Sequence, residues 1–508
     1  MAEPGQKPGC IIHLVADGMS LGTLTCADYL SSQLRGRGLT WLRLLREPGT
    51  HSGLMNMRSL SSMVTDSAAA SSSWGSGSRV ANGAVNVLPS GRKLTTLYKL
   101  FADIGWKRGL VTTTEITHAT PAGFAACADS RDTGALIAEQ YLEGRVDVLL
   151  GGGQKFFDPK SRADKRDLKQ EYAAAGYQVM ATAPDLAAAS VDKRWLGIFC
   201  PSHLPFVLDQ MADSGLQAQV PTLAAMTRRS LQWLGRHEHF ILQVEGGRVD
   251  HAAHNCDAAS ALREMLAFDE ALDAVLEFQH QRPDTLVVVT SDHGNGNPGV
   301  NGSGKVYGQS SAMFRRVAGV KASFAEIMRQ LRRRASATAV QHDTKDDEAP
   351  PAASDTNGEV KAQSGIASEE YVPDIGEIQE VIGSNIGYRV PRRRAGWFRA
   401  YLKKRGTCVY ELMNTEMAQL GQLVANHIAV GWAGHVHTAD YVPLTASGPG
   451  AERFAGFIQN VDVFRHYTQL AGIDFKNPEE PMLADAGPQA ADVENLREYA
   501  FVSMAPFA

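Results

Sequence analysis

The sequence has no basic excess. Its 50 Lys and Arg stand against 55 Asp and Glu, giving a formal net charge of -5. Nucleic acid is therefore not the expected main ligand. Nowhere do roughly 18 uncharged apolar residues run together, so no helical membrane span is expected. Cysteine is scarce. The six, at 10, 26, 127, 200, 256 and 408, form no CxxC pair. Six cysteines permit about fifteen pairings, so no disulfide is specified, and buried free thiols are the plainer expectation. No internal repeat is visible. What is present is ordinary for a globular protein: 44% hydrophobic and 21% charged residues. That balance excludes a disordered or collagen-like chain. A length of 508 residues accommodates one large α/β domain carrying an insertion.

Short apolar runs alternate with longer stretches of helical spacing. Cys10–Ala16, Leu110–Thr113, Val146–Leu150, Phe240–Val244, Leu286–Thr290 and His427–Val430 read as strands. Runs bounded by Gly and Asp suit strands buried on both faces. Ala258, Leu262, Met265, Leu272, Val275 and Leu276 recur at helical spacing after a capping candidate, Asp257. The expected fold is α/β: a large, mostly parallel central sheet with helices on both faces. Between about Ala335 and Glu370 the chain turns acidic and poor in large apolar residues. Such a stretch predicts a solvated, flexible loop. Arg332–Arg334 and Arg392–Arg394 flank it as solvated charge runs. The predicted organisation is a core over 10–314 and 421–470, an insertion over 315–420 with its acidic part at about 336–370, and a C-terminal extension over 471–508.

Chemistry-bearing residues gather at the carboxyl ends of the predicted strands, the edge where open α/β sheets bind ligands. Asp17 ends the first strand before Gly18. Ser67, after Thr65-Asp66 and before three alanines, falls at a helix N-terminus, where free N–H groups favour anions. His118 and Thr120 stand two apart, on one side of the segment if it is extended. Arg131 follows, and its planar fork can clamp two oxygens of a phosphate. Glu245 closes a strand, and Asp250 and His254 share one helical face four residues apart, a frequent zinc half-site. His251 lies between them, and Asp292-His293 ends another strand. Of His435 and His437, only one faces a given side if the segment is extended. These ligands suffice for more than one metal. A serine beside two zinc ions and an arginine suits in-line phosphoryl transfer.

The motifs Asp17-Gly18-Met19, Thr65-Asp66-Ser67-Ala68-Ala69-Ala70, His118-Ala119-Thr120-Pro121, Arg131, Glu245 to His251, His254, Asp292-His293 and His437 resemble the alkaline phosphatases. They stand in that family's order and cover about residues 10–300 and 425–465. The resemblance implies a phosphomonoesterase with a phosphoserine intermediate on Ser67, Arg131 as phosphate clamp and His251 on the substrate side. It implies one zinc on Asp250, His254 and His437, and a second on Asp17, Asp292, His293 and Ser67. A third metal, usually magnesium, falls to Asp17, Thr120 and Glu245. His118 stands at that third site, where its imidazole favours zinc or cobalt by ligand softness. Some bacterial members carry Asp and Lys where this chain has His118 and His251. The insertion over 315–420 matches the place of the family's variable crown.

The resemblance further implies broad small phosphorylated substrates, a homodimer, and a periplasmic or secreted location, with a signal peptide outside this sequence; a cytoplasmic location is the alternative. Competing activities are a phosphodiesterase of the same superfamily, a non-catalytic phosphate- or metal-binding relative, and a metal-free serine hydrolase. No G-x-S-x-G elbow surrounds Ser67, against the last of these.

Overall fold

The computed structural model describes residues 7–343, 372–403, 408 and 410–482. Ten strands build one sheet: β1 (Cys10–Val15), β2 (Thr50–Asn56), β3 (Lys107–Glu115), β4 (Val148–Gly152), β5 (Tyr177–Met180), β6 (Arg194–Ile198), β7 (Phe240–Glu245), β8 (Thr285–Thr290), β9 (Val442–Ser447) and β10 (Gly456–Gln459). Their order is β10-β2-β9-β8-β1-β7-β3-β4-β6-β5. Only β9 runs antiparallel to its neighbours, so the expected mostly parallel sheet is present.

The central strand β1 is buried along its whole length because helices cover both faces. Ile12 and Leu14 enter one apolar cluster with Leu262, Met265 and Leu272, while Ile11 and Val15 enter another with Trp74 and Phe464. Alternate side chains of an extended strand point to opposite faces, which divides the core this way. Each such aliphatic side chain contributes roughly 1.5–3 kcal/mol through burial. The helices that bear on the site are α1 (Leu21–Arg35), α2 (Ser67–Ser76), α3 (Ala119–Ala125), α4 (Arg248–His254) and α5 (Ala258–Gln281). Asp257 caps α5, its side chain accepting from Ser260 N, as the sequence predicts.

Register brings the chemistry to one edge. Val15 lies opposite both Glu245 of β7 and Thr290 of β8, and Thr112 of β3 lies opposite Glu245. The residues just beyond these positions therefore share a single crevice.

Two expectations are corrected. His427–Val430 is not a sheet strand. It closes a helix, Glu416–Ile428, and reaches only a two-residue ladder in which Val430 pairs with Val300. A four-residue apolar run does not distinguish strand from helix, and the amphipathic turns before it continue through it. His118 and Thr120 are not in an extended segment either. His118 precedes α3 as its N-cap and Thr120 lies in its first turn.

Within 315–420, the helices Ile375–Ile386 and Arg392–Leu402 bury Ile378, Ile382 and Phe398 in the same cluster as Leu331 and Leu262. Gln33 of α1 donates to Arg315 O at 2.9 Å, and Asp257 accepts from Phe324 N at 2.8 Å, tying this segment to α1 and α5. Of the acidic stretch at about 336–370, residues 344–370 lie outside the described residues, as does 483–508 of the C-terminal extension. All six cysteines are unpaired, with Cys10, Cys26 and Cys256 buried. Among the described residues no helix is long and apolar enough to cross a membrane.

Candidate active site

Asp17 follows β1, and Gly18 turns the chain there with φ +70°. A side chain at Gly18 would meet the Asp250 carboxylate, so the turn and the close approach both require glycine. Asp292 follows β8. Its Oδ1 accepts from the backbone N–H of Gly18 and of His293, both at 3.0 Å, leaving Oδ2 without a hydrogen bond. Asp17, Asp292 and His293 are fully buried, and neither oxygen of Asp17 has a donor. His293 Nε2 lies 3.5 Å from Asp17 Oδ1 and 3.1 Å from Asp292 Oδ2. Ser67, first residue of α2, places its Oγ 3.2 Å from the same Nε2.

A second group forms where α4 faces the segment around His437. His254 Nε2 lies 3.2 Å from Asp250 Oδ2, and His437 Nε2 lies 3.7 Å from Asp250 Oδ1. His254 Nδ1 meets the carbonyl of His435 at 2.7 Å, and His437 Nδ1 meets that of Thr65 at 2.9 Å. A carbonyl only accepts, so both Nδ1 atoms carry protons and both Nε2 atoms turn inward. Those two nitrogens face each other at 3.1 Å. That separation calls for a proton on one of them, which Asp250 favours on His254, or for a metal ion between them. His435 thus serves through its backbone, and His437 is the one turned to the site.

A third group joins Asp17, His118 and Glu245. Thr112 and Thr114 donate to Glu245 Oε2 at 2.5 and 3.3 Å, while Glu245 Oε1 and Thr120 Oγ1 have no hydrogen-bond partner. Arg131 Nη1 donates to Asp66 Oδ2 at 3.0 Å, and its Nη2 reaches His118 Nε2 at 3.2 Å. Guanidinium only donates, so His118 Nε2 accepts and Nδ1 bears the proton, 3.9 Å from Glu245 Oε1. In this tautomer His118 is a donor toward the third group. A direct bond from Nδ1 to a metal requires the opposite tautomer and release of Arg131.

Electrostatics agree with a cation-demanding site. Burial raises the Asp17 carboxyl well above its usual range, and the charges of Asp292, Asp250 and Glu245 add to this. Burial likewise lifts Glu245 to about 7. Burial opposes ionisation of Asp250 too, but His254 and His437 hold it well below the ordinary value. Burial takes His118 to about 3, with Arg131 adding to the effect, and takes His437 to about 3, with His293 adding. Four buried carboxylates cannot all be ionised together without positive charge among them. The donor sets fit divalent metals: imidazole with carboxylate suits zinc, and carboxylate with hydroxyl suits magnesium.

All twelve residues singled out from the sequence line this one crevice or its wall. His251 stands beside it, its ring centre 5.7 Å from that of His118. Sequence reasoning missed Asp66 as the holder of Arg131, Asn295, which donates to Asp250 Oδ1 at 2.7 Å, and Arg248 and His203, which flank His251. Only Asp66 and Arg248 lie within motifs the sequence brought forward.

Fold and site together define a metal-dependent hydrolase built on an α/β sheet. A family model described as alkaline phosphatase matches residues 9–375, a span holding every site residue but His437. Streptomycin-6-phosphate phosphatase of Streptomyces griseus is 35% identical over 332 residues, covering 56% of this chain and 73% of that protein. Alkaline phosphatase 3 of Bacillus subtilis is 29% identical over 410 residues, covering 79% and 76%. The crystal structure of Thermus thermophilus alkaline phosphatase superposes with a TM-score of 0.80 at 30% identity, covering 94% of each chain. The chain belongs to the alkaline phosphatase family and is a phosphoric monoester hydrolase.

Proposed function

We propose that the protein hydrolyses phosphate monoesters through a covalent phosphoserine on Ser67. The carrying observation is that three groups of side chains able to hold a metal ion lie together, two of them sharing Asp17, and that one of them reaches Ser67 Oγ through His293 at 3.2 Å. Ser67 Oγ loses its proton and attacks phosphorus, the ester P–O bond breaks, and the alcohol leaves. Water then attacks the phosphoserine, frees inorganic phosphate and restores the serine. Ser67 opens α2, where the helix dipole favours negative charge, while Asp66 caps the turn by accepting from Ala69 N. Arg131, held between Asp66 and His118, would turn its planar guanidinium to two phosphoryl oxygens.

Asp250, His254 and His437 would hold one zinc. Asp17, Asp292, His293 and Ser67 would hold another. Asp17, Thr120 and Glu245 would hold a third ion, magnesium by donor type. When bound, these ions lower the pKa of the serine and of water and neutralise charge on the transferring group. His118 joins the third set only after giving up Arg131; otherwise it supports that set by hydrogen bonding.

The test is turnover of 4-nitrophenyl phosphate against its bis-aryl diester, before and after chelation, then with zinc and magnesium restored. Monoester turnover that falls with chelation and returns with metal is expected. Turnover that survives full chelation overturns the reading in favour of a metal-free serine hydrolase. A faster diester reaction overturns it in favour of a phosphodiesterase.

Arg131→Ala is expected to weaken inhibition by inorganic phosphate about 10- to 100-fold, since charge-assisted hydrogen bonds are each worth about 1.5–3 kcal/mol. Thermal stability should change little, because Arg131 is partly exposed. Unchanged phosphate inhibition would remove Arg131 from the clamp role.

A further inference from the structure

Arg248 opens α4 two residues before Asp250, yet it contacts none of the three metal-ligating groups. Its guanidinium lies over the Phe206 ring, 3.8 Å from the ring centre. Its backbone N–H donates to Thr113 Oγ1 at 3.1 Å. Its Nη1 meets His251 Nδ1 at 2.8 Å. The loop after β6 that brings Phe206 also brings His203, whose ring packs edge-on against His251 at 4.5 Å. The loop is itself tied down, because Leu204 N donates to Thr113 O at 3.0 Å.

From this geometry we infer that Arg248 is a positioning residue: it fixes the tautomer and ring direction of His251, so that His251 presents Nε2–H as a fixed donor to the phosphoryl group. A guanidinium has donors and no acceptor. Facing it at 2.8 Å, His251 Nδ1 must therefore supply a lone pair, and the ring's proton resides on Nε2. The cation–π contact with Phe206 holds the guanidinium in place, with the charges of Glu264 and Asp209 nearby. A pre-set donor costs no reorientation when phosphate arrives. The inference rests on the reading that His251 faces the phosphoryl group.

The test uses the metal-loaded full chain with histidine nitrogens labelled by 15N, assigned against the His251→Ala protein. Wild-type His251 should show an unprotonated Nδ1 and a protonated Nε2. The reverse tautomer in the wild type overturns the inference with no variant needed. Arg248→Met should give a tautomer mixture and weaken inorganic-phosphate inhibition about 5- to 20-fold, with a smaller change in kcat. Arg248→Lys, which keeps a donor, should recover most of this. In a His251→Ala background Arg248→Met should add nothing. An equal loss in both backgrounds means that Arg248 acts independently of His251, which overturns the proposal. If His251→Ala leaves phosphate inhibition unchanged, the reading of His251 as phosphate-facing fails, whereas the tautomer signal still reports on Arg248 alone.

Discussion

Ser67→Ala is expected to lower monoester turnover by at least about a thousandfold while the protein stays folded and retains its metals. The hydroxyl is one buried oxygen whose described contact is His293 Nε2 at 3.2 Å. Losing that contact costs about 0.5–1.5 kcal/mol, little against the stability of a sheet of ten strands. The chemistry has no comparable substitute. Among the described residues no other serine or cysteine opens that helix beside His293. Slow direct attack by water accounts for any residual rate. The measurement is acid quenching with labelled phosphate: the wild type should retain label on Ser67 and the variant none. Label trapped on the variant would place the nucleophile elsewhere.

The site was legible before the fold because catalytic residue types concentrate where strands end. Asp17, Glu245 and Asp292 each follow an apolar run, and a carboxylate there has few structural uses beyond capping a turn. Asp250 and His254 were readable from helical spacing alone. The contacts that orient them were not. Arg131 meets Asp66 across 65 residues, and His254 finds the His435 carbonyl across 181. No local pattern encodes either separation.

The sheet was legible by the same rule. β1, β7 and β8 are buried throughout and read as mostly apolar runs, interrupted inside only by His13 and Gln243. β2 is Thr-His-Ser-Gly-Leu-Met-Asn with only Met55 fully buried, so its strand signal is weak. It and β10 lie at the sheet's end, where one side carries solvent-facing residues. β9, Val-Pro-Leu-Thr-Ala-Ser, was not among the strands read, and its antiparallel entry depends on the chain's return path and not on composition.

Asp17→Asn is expected to abolish turnover and, at the same time, to stabilise the metal-free protein. Asp17 belongs to two of the three ligand groups, so neutralising it weakens two ion sites together. Without metals the native carboxylate is buried with no donor on either oxygen, beside Asp292, Asp250 and Glu245. An amide removes that charge and supplies two N–H donors to the neighbouring carboxylates. Unpaired buried charge is costly, so the metal-free variant should gain about 1 kcal/mol or more. The pH dependence follows from the direction of the shifts. Asp17 is raised by burial and by its acidic neighbours, and Glu245 is raised by burial to about 7. A group with a raised folded pKa adds stability below its unfolded value and loses it as pH climbs through the folded one. His254 and His293 are raised as well, against their burial, by Asp250 and Asp292 respectively, and act with the same sign. The buried histidines with lowered values act oppositely, but only below about pH 6.5, the ordinary histidine value. As pH climbs from about 6.5, the metal-free wild type should therefore lose thermal stability, and the Asp17→Asn protein less steeply. Zinc and magnesium should restore the wild type strongly and the variant weakly. Melting curves of both proteins, chelated and metal-loaded, decide it. Coincident chelated curves would mean that the Asp17 charge is already satisfied without metal, and the argument for ions around Ser67 would lose its electrostatic basis.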